Sequence, residues 1–308
     1  MHRSPEMTKQ SKRLFTFGCS YTQYTYPTWA EFLGLEFEHF ENWGLAGTGC
    51  RAIAERVAEC HARNKFTKDD IIIVQWSTHL RHDFYTSAPV LNRHENWKTM
   101  GSVFSYENRS LYDEKWLATF FMEAGYIMHC LNHMLMIQTM LESIGCTWYM
   151  TSIGDWQELS SDLDLATGAW EKRLGVDEYN IKKTFPEFKF YIKPIFEDRA
   201  AHWLKPIAHE ASDNPELFWW FNPDGEKPWR EQHPSPMQYL IWLNNQLRPK
   251  LGLGEPPIEQ KLWLDQITKI KKQCNDDRIL ITETFWTKQD TFEYWPKDYW
   301  PAKLAGFA

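Results

Sequence analysis

Four β-branched side chains stand in an unbroken run at Ile71, Ile72, Ile73 and Val74. A strand points successive residues to opposite faces, so a run like this has no side that suits water. The strand it predicts must be covered on both faces, which is the habit of parallel sheets in α/β proteins. Asp69 and Asp70 precede it and read as a turn. Other short apolar segments fit the same scheme. Residues 14–17 end at Gly18 and predict a first buried strand, residues 36–42 a second, and residues 146–151 a later one.

Helical signals lie between these segments. Pro27 opens a predicted helix that runs to Leu33, and a second covers 51–63. A long helix is expected over 116–144, because Leu117, Phe121, Ala124, Met128, Leu131 and Leu135 recur at helical spacing and Gly145 closes the run. Ser235 and Pro236 are the cap and first-turn residues of a helix predicted to reach Leu247. Strand and helix alternate, which implies βαβ units, a central parallel sheet of about five strands and helices on both faces. The fifth strand is expected at 188–195.

Regularity fails elsewhere. Residues 1–13 read as a loose polar arm, 14–250 as the α/β domain and 251–308 as a C-terminal extension. The extension carries a helix near 257–273, a strand-like stretch at 279–282 and an aromatic end. Within the domain, 77–113 reads as a loop-rich insertion. The stretch 152–230 holds Trp156, Trp170, Trp203, Trp219, Trp220 and Trp229 and reads as a cap or lid with short elements of its own. The chain has 17 tryptophans, more than a core of this size needs, so some are expected to line binding surfaces.

Composition narrows the function classes. The net charge of −7 and the lack of a Lys/Arg run argue against a nucleic-acid partner. Six scattered cysteines without a C-x-x-C pair fit free thiols in a reducing cytosol. No apolar stretch resembles a secretory signal or a membrane span, so the expectation is a cytoplasmic protein, in a host cell or a virion if its origin is viral.

In an open α/β sheet, ligands gather beyond the carboxyl ends of the strands, so the polar residues just after each strand carry the functional argument. The first strand is followed by Gly18-Cys19-Ser20-Tyr21-Thr22, the second by Asn42-Trp43-Gly44-Leu45-Ala46-Gly47, and the third by Gln75-Trp76-Ser77-Thr78. Late in the chain comes Glu231-Gln232-His233-Pro234. This order resembles the SGNH (GDSL-like) hydrolase family, whose four blocks supply Ser, Gly, Asn and His. The Gly-Cys-Ser-Tyr-Thr form also looks like SGNH-like chains of phages and marine bacteria. The resemblance spans roughly 14–80, 116–151 and 229–247.

The resemblance implies a flavodoxin-like three-layer sandwich and a serine esterase that works through an acyl-enzyme without metal or cofactor. Ser20 is then the nucleophile and His233 its general base. The Ser20 and Gly47 backbone N–H groups are oxyanion donors. Two blocks depart from the family pattern. Thr78 stands about where the family has its oxyanion Asn, so Ser77 or Thr78 would donate a hydroxyl hydrogen bond there. Arg230 stands where the family has its Asp, so the acidic partner of His233 shifts to Glu231. Tyr21, Ser77, His79 and Arg81 are candidate substrate contacts, and Cys19 is the alternative nucleophile. The expected substrate is a small-molecule or carbohydrate ester. His129 and His133 share a helical face, but no Glu stands between them as a zinc protease would need, so they read as ordinary histidines. Two further readings remain open: a non-catalytic binding or virion-associated protein on the same fold, and an acyltransferase.

Overall fold

The computed structural model describes residues 9–24, 26–85, 97–102, 114–120, 122–153, 156, 186–207, 220–221, 229–230, 233–258, 260–262, 264–265 and 268. Four parallel strands form the central sheet: β1 (Gln10–Phe17), β2 (Phe37–Asn42), β3 (Ile71–Trp76) and β6 (Thr147–Ser152), in the order β2-β1-β3-β6. Between them lie α1 (Trp29–Gly34), α2 (Cys50–Asn64) and α4 (Glu123–Ile144). A later helix, α6 (Pro236–Trp242), continues through a π-helical turn, Leu243–Leu247.

The two faces of the sheet follow from strand alternation. Leu14, Ile71 and Ile73 point to one side, where Trp29, Phe32, Leu33, Tyr239 and Trp242 of α1 and α6 cover them. Phe15, Phe17, Ile72 and Val74 point to the other and meet Ile53 and Val57 of α2 and Leu131 and Met134 of α4. Each fully buried side chain of this size contributes about 1.5–3 kcal/mol relative to exposure. The run at 71–74 is thus split between two cores, and a three-layer α/β sandwich results.

Helix ends form where their cap residues stand. Thr28 caps α1 in a reciprocal capping box with Glu31. Ser235 caps α6 in another with Gln238, and Pro236 occupies the first turn. Gly145 ends α4 in the left-handed conformation, at φ +77°.

Several expectations are corrected. β1 begins at Gln10, inside the segment expected to be an arm, because Gln10 and Arg13 pair with Phe37 and His39 of β2, with a register shift between the two pairs. The 77–113 segment contains an antiparallel hairpin, β4 (Arg81–Tyr85) with β5 (Trp97–Ser102). Its inward residue is the buried Asp83, so no apolar alternation marked it. The long helix is two helices, α3 (Glu114–Phe120) and α4, separated where Met122 turns extended at φ −142° and ψ 105°. Gly125, a poor helix former, follows in the first turn of α4.

No strand forms at 188–195. That segment is helical: α5 (Lys189–Ile192) passes into a π-helical turn, Lys193–Glu197. Phe188, Ile195 and Phe196 are buried at helical spacing in the core beside α4. The outer edge of β6 is met instead by the extended segment 203–205. Met150 bridges Trp203 in parallel, and the Met150 carbonyl accepts the Leu204 N–H at 2.8 Å. The strand-like stretch at 279–282 and most of the tryptophan-rich segment fall outside the described residues. Among the described residues, no helix is long and apolar enough to cross a membrane.

At the N-terminal end of the sheet, Arg13 of β1 grips Asp70 with two hydrogen bonds, of 2.8 and 2.6 Å. Asp70 also accepts the Thr67 N–H at 2.6 Å. Burial works against the Asp70 charge, but the hydrogen bonds from Arg13 and Thr67 outweigh it, so its pKa lies below the usual carboxylate value. A depressed folded pKa means that the contribution is complete above the unfolded value, about 4. It is lost as pH falls through the lower folded value. Asp70→Asn should therefore lower unfolding stability by about 1–3 kcal/mol at neutral pH. Denaturant titration at pH 7 and pH 3 checks this, and the gap between the two proteins should shrink at the lower pH.

Candidate functional site

The carboxyl ends of β1, β2 and β3 lie along one edge of the sheet, and the loops after them are tied together. β1 ends at Phe17, and the chain turns at once: the Cys19 carbonyl accepts the Thr22 and Gln23 N–H groups at 2.9 and 3.1 Å. The loop after β2 lies against this turn. Leu45 donates its N–H to the Gly18 carbonyl at 2.9 Å, and the Thr48 hydroxyl approaches the same oxygen at 3.3 Å. From β2 itself, Asn42 Nδ2 donates to the Thr22 carbonyl at 2.8 Å.

Gln75, near the end of β3, supports the turn from below. Its Oε1 accepts the Cys19 N–H at 3.3 Å and lies 3.2 Å from the Thr22 hydroxyl, while its Nε2 donates to the Trp76 carbonyl at 2.7 Å. Gly18 fits into this arrangement because it has no side chain. A Cβ there would overlap the Thr22 side chain and come 2.7 Å from Gln75 Oε1.

The turn sends its two candidate nucleophiles in different directions. Cys19 is fully buried, with Sγ 3.4 Å from Gln75 Oε1. Ser20 is 5% exposed, and its Oγ lies 2.8 Å from Nε2 of His233. These two residues are 213 positions apart in the chain. That is the contact a serine needs if an imidazole is to take its proton.

His233 is held by three tyrosines, of which only Tyr21 was expected near the site, and there as a substrate contact. The Tyr24 ring stacks on the imidazole, with centroids 3.9 Å apart and planes at 22°. Tyr21 meets it edge-on at 5.4 Å. The Tyr26 hydroxyl donates to the carbonyl of Pro234 at 3.1 Å. Helix α6 starts just behind and anchors the segment. Glu231 lies outside the described residues.

The remaining candidates divide. Gly47 is half-buried and has φ +86°, a left-handed backbone that favours glycine. Ser77 is fully buried, and its Oγ has no hydrogen-bond partner among the described residues. The Thr78 hydroxyl accepts the Leu80 N–H at 3.2 Å, which makes it part of a local turn. His79 is buried with its ring edge-on to Trp156, at 5.9 Å. Arg81 donates to the Thr48 carbonyl at 2.8 Å and so braces the loop after β2.

A second cluster lies beyond that loop. Asp83 accepts the Gly49 and Ala52 N–H groups at 2.7 and 2.9 Å and caps α2 from a neighbouring strand. A cavity of about 380 Å³ opens beside it, walled by His82, Trp116, Tyr126, His129 and Cys130 among others. Burial lowers the His82 pKa, with the nearby Asp83 charge opposing. No group of three or more His, Cys, Asp or Glu residues is placed to hold a metal ion among the described residues. The five described cysteines are free and buried.

Beneath the serine turn, burial raises the pKa of Glu31, against hydrogen bonds from Thr28 and Asn42. The Thr28 hydroxyl lies 2.7 Å from the Thr22 carbonyl, which can only accept, and 2.6 Å from Glu31 Oε2. Glu31 Oε2 also accepts the Thr28 backbone N–H at 2.7 Å.

No family model matches the chain, and no curated protein matches it. The site therefore stands on its geometry, and its tightest point is Gly18. Gly18→Ala should push the turn away from Gln75, lowering stability by about 1–3 kcal/mol, the range for overpacking. Thermal unfolding of the two proteins tests this. A variant as stable as the parent would show that the turn is looser than the contacts at Gly18 require.

Proposed function

We propose that this chain is a serine hydrolase of the SGNH type that cleaves esters through an acyl-enzyme. The observation that carries the reading is the 2.8 Å contact between Ser20 Oγ and His233 Nε2 at the carboxyl edge of a parallel sheet. The burial of Cys19 against Gln75 supports serine over cysteine as the nucleophile.

In this reading Ser20 Oγ attacks the acyl carbon as its proton passes to His233 Nε2. The carbonyl oxygen becomes an oxyanion, received by the backbone N–H groups of Ser20 and Gly47. The third donor is a hydroxyl of the block after β3. Ser77 suits that role better than Thr78, because the Ser77 hydroxyl is buried without a partner among the described residues. Each such donor lowers the barrier by about 2.7–4 kcal/mol in other acyl-transfer enzymes. The tetrahedral intermediate then collapses, and the imidazolium returns its proton to the departing alcohol oxygen. Water, activated by the same histidine, attacks the acyl-enzyme, frees the acid and restores Ser20.

A fluorophosphonate probe tests the nucleophile without knowledge of the substrate. The parent and Cys19→Ala should both be labelled, and Ser20→Ala should not. His233→Ala should react about 10²–10⁴-fold more slowly, the contribution of a positioned base. A correctly folded parent that takes up no probe would overturn the proposal and favour a binding role for the fold.

A further inference from the structure

The imidazole of His233 is surrounded by the nucleophile's own segment. Tyr21, Tyr24 and Tyr26 follow Ser20 within six residues, and all three reach the segment that carries His233. Their contacts differ in kind. Tyr26 holds the backbone, through its hydroxyl on the Pro234 carbonyl at 3.1 Å. Tyr21 touches the imidazole with an edge, at an interplanar angle of 61°. Tyr24 alone of the three lies flat against it, at 22° and 3.9 Å between centroids. Tyr26 in turn packs edge-on against Tyr24, at 4.9 Å between centroids and 83°.

A flat aromatic neighbour does two things for an imidazole. It blocks rotation of the ring out of the stacking plane, so the nitrogen that faces Ser20 stays there. Its negative π face also attracts a cation, so it favours the imidazolium over the neutral ring. The imidazolium exists only while the serine proton is held. An interaction of this kind is stronger at that stage than before it, and such interactions accelerate a reaction.

Resting on the serine-hydrolase reading, we propose that Tyr24 is a positioning residue: its ring sets the plane of His233 and stabilises the imidazolium formed when Ser20 gives up its proton. The phenol hydroxyl has no part in this. The ring face is what matters.

The test joins a spectroscopic signature to a rate. The Cε1–H resonance of His233, identified by its loss in His233→Gln, should carry a ring-current shift from Tyr24. Tyr24→Phe should keep that shift and label with the fluorophosphonate within about twofold of the parent. Tyr24→Leu should lose the shift and label roughly tenfold more slowly, in line with the loss of a partly desolvated cation–π contact. Tyr24→Trp, which keeps a π face, should retain most of the rate and supplies the comparison if the leucine variant does not fold. A leucine variant with an unchanged resonance, or with the parent's labelling rate, overturns the assignment. So does a phenylalanine variant as slow as the leucine one. A parent that takes no probe overturns the hydrolase reading and the catalytic half of this assignment. The resonance comparison still decides whether Tyr24 faces His233.

Discussion

The side-chain amide of Asn42 uses its whole hydrogen-bonding capacity inside the protein. Oδ1 accepts the Gly44 N–H at 2.9 Å and lies 3.3 Å from the Thr16 hydroxyl. Nδ2 donates to the Thr22 carbonyl at 2.8 Å and to Glu31 Oε1 at 2.5 Å. An amide has two donors and room for two acceptor contacts, and all four are spent. The partners belong to β1, to the loop after β2, to the serine turn and to α1. One buried side chain therefore fixes four segments to each other, and the serine stands on one of them. A fully satisfied network of this kind is rigid. A partly satisfied one would leave several buried groups without water or partner, at a cost of about 1–3 kcal/mol each.

Glu31 brings an ionisable group into this buried network. A carboxylate sealed in this place would lack the solvent that normally stabilises its charge. Burial therefore raises the Glu31 pKa, while the hydrogen bonds from Thr28 and Asn42 work in the other direction.

What the sequence makes legible here is set by distance along the chain. The strands at 14–17, 36–42, 71–74 and 146–151 could be read because burial on both faces leaves apolar runs. The starts of α1 and α6 and the end of α4 could be read because caps are local chemistry: Thr28, Ser235 with Pro236, and Gly145. Ser20, Gly47 and His233 were legible as positions after strands or before a helix. Tyr24, Tyr26 and Gln75 were not, because each acts through a partner far along the chain and leaves no period behind. The error at 188–195 has another source. The aromatic and β-branched residues of 188–196 fit a strand by composition, while Phe188, Ile195 and Phe196 fit a helix by spacing. Packing beside α4 favoured the helix, and the extended segment at Trp203 took the place beside β6.

A parallel sheet explains why the serine, the glycine loop and the block after β3 meet without special devices. All the strands run the same way, so their following loops share one edge. The histidine has no such guarantee. It comes more than two hundred residues after the serine and, among the described residues, directly follows no strand of the central sheet. Two things bring it to the edge. Helix α6, which begins three residues later, packs on the same side of the sheet as α1 and sets the height of the segment. The Tyr21 and Tyr24 rings then lie against it. The histidine is thus referenced to the serine turn rather than to a strand of its own, so a shift of that turn would carry the aromatic cradle with it. The 2.8 Å contact rests on that shared support.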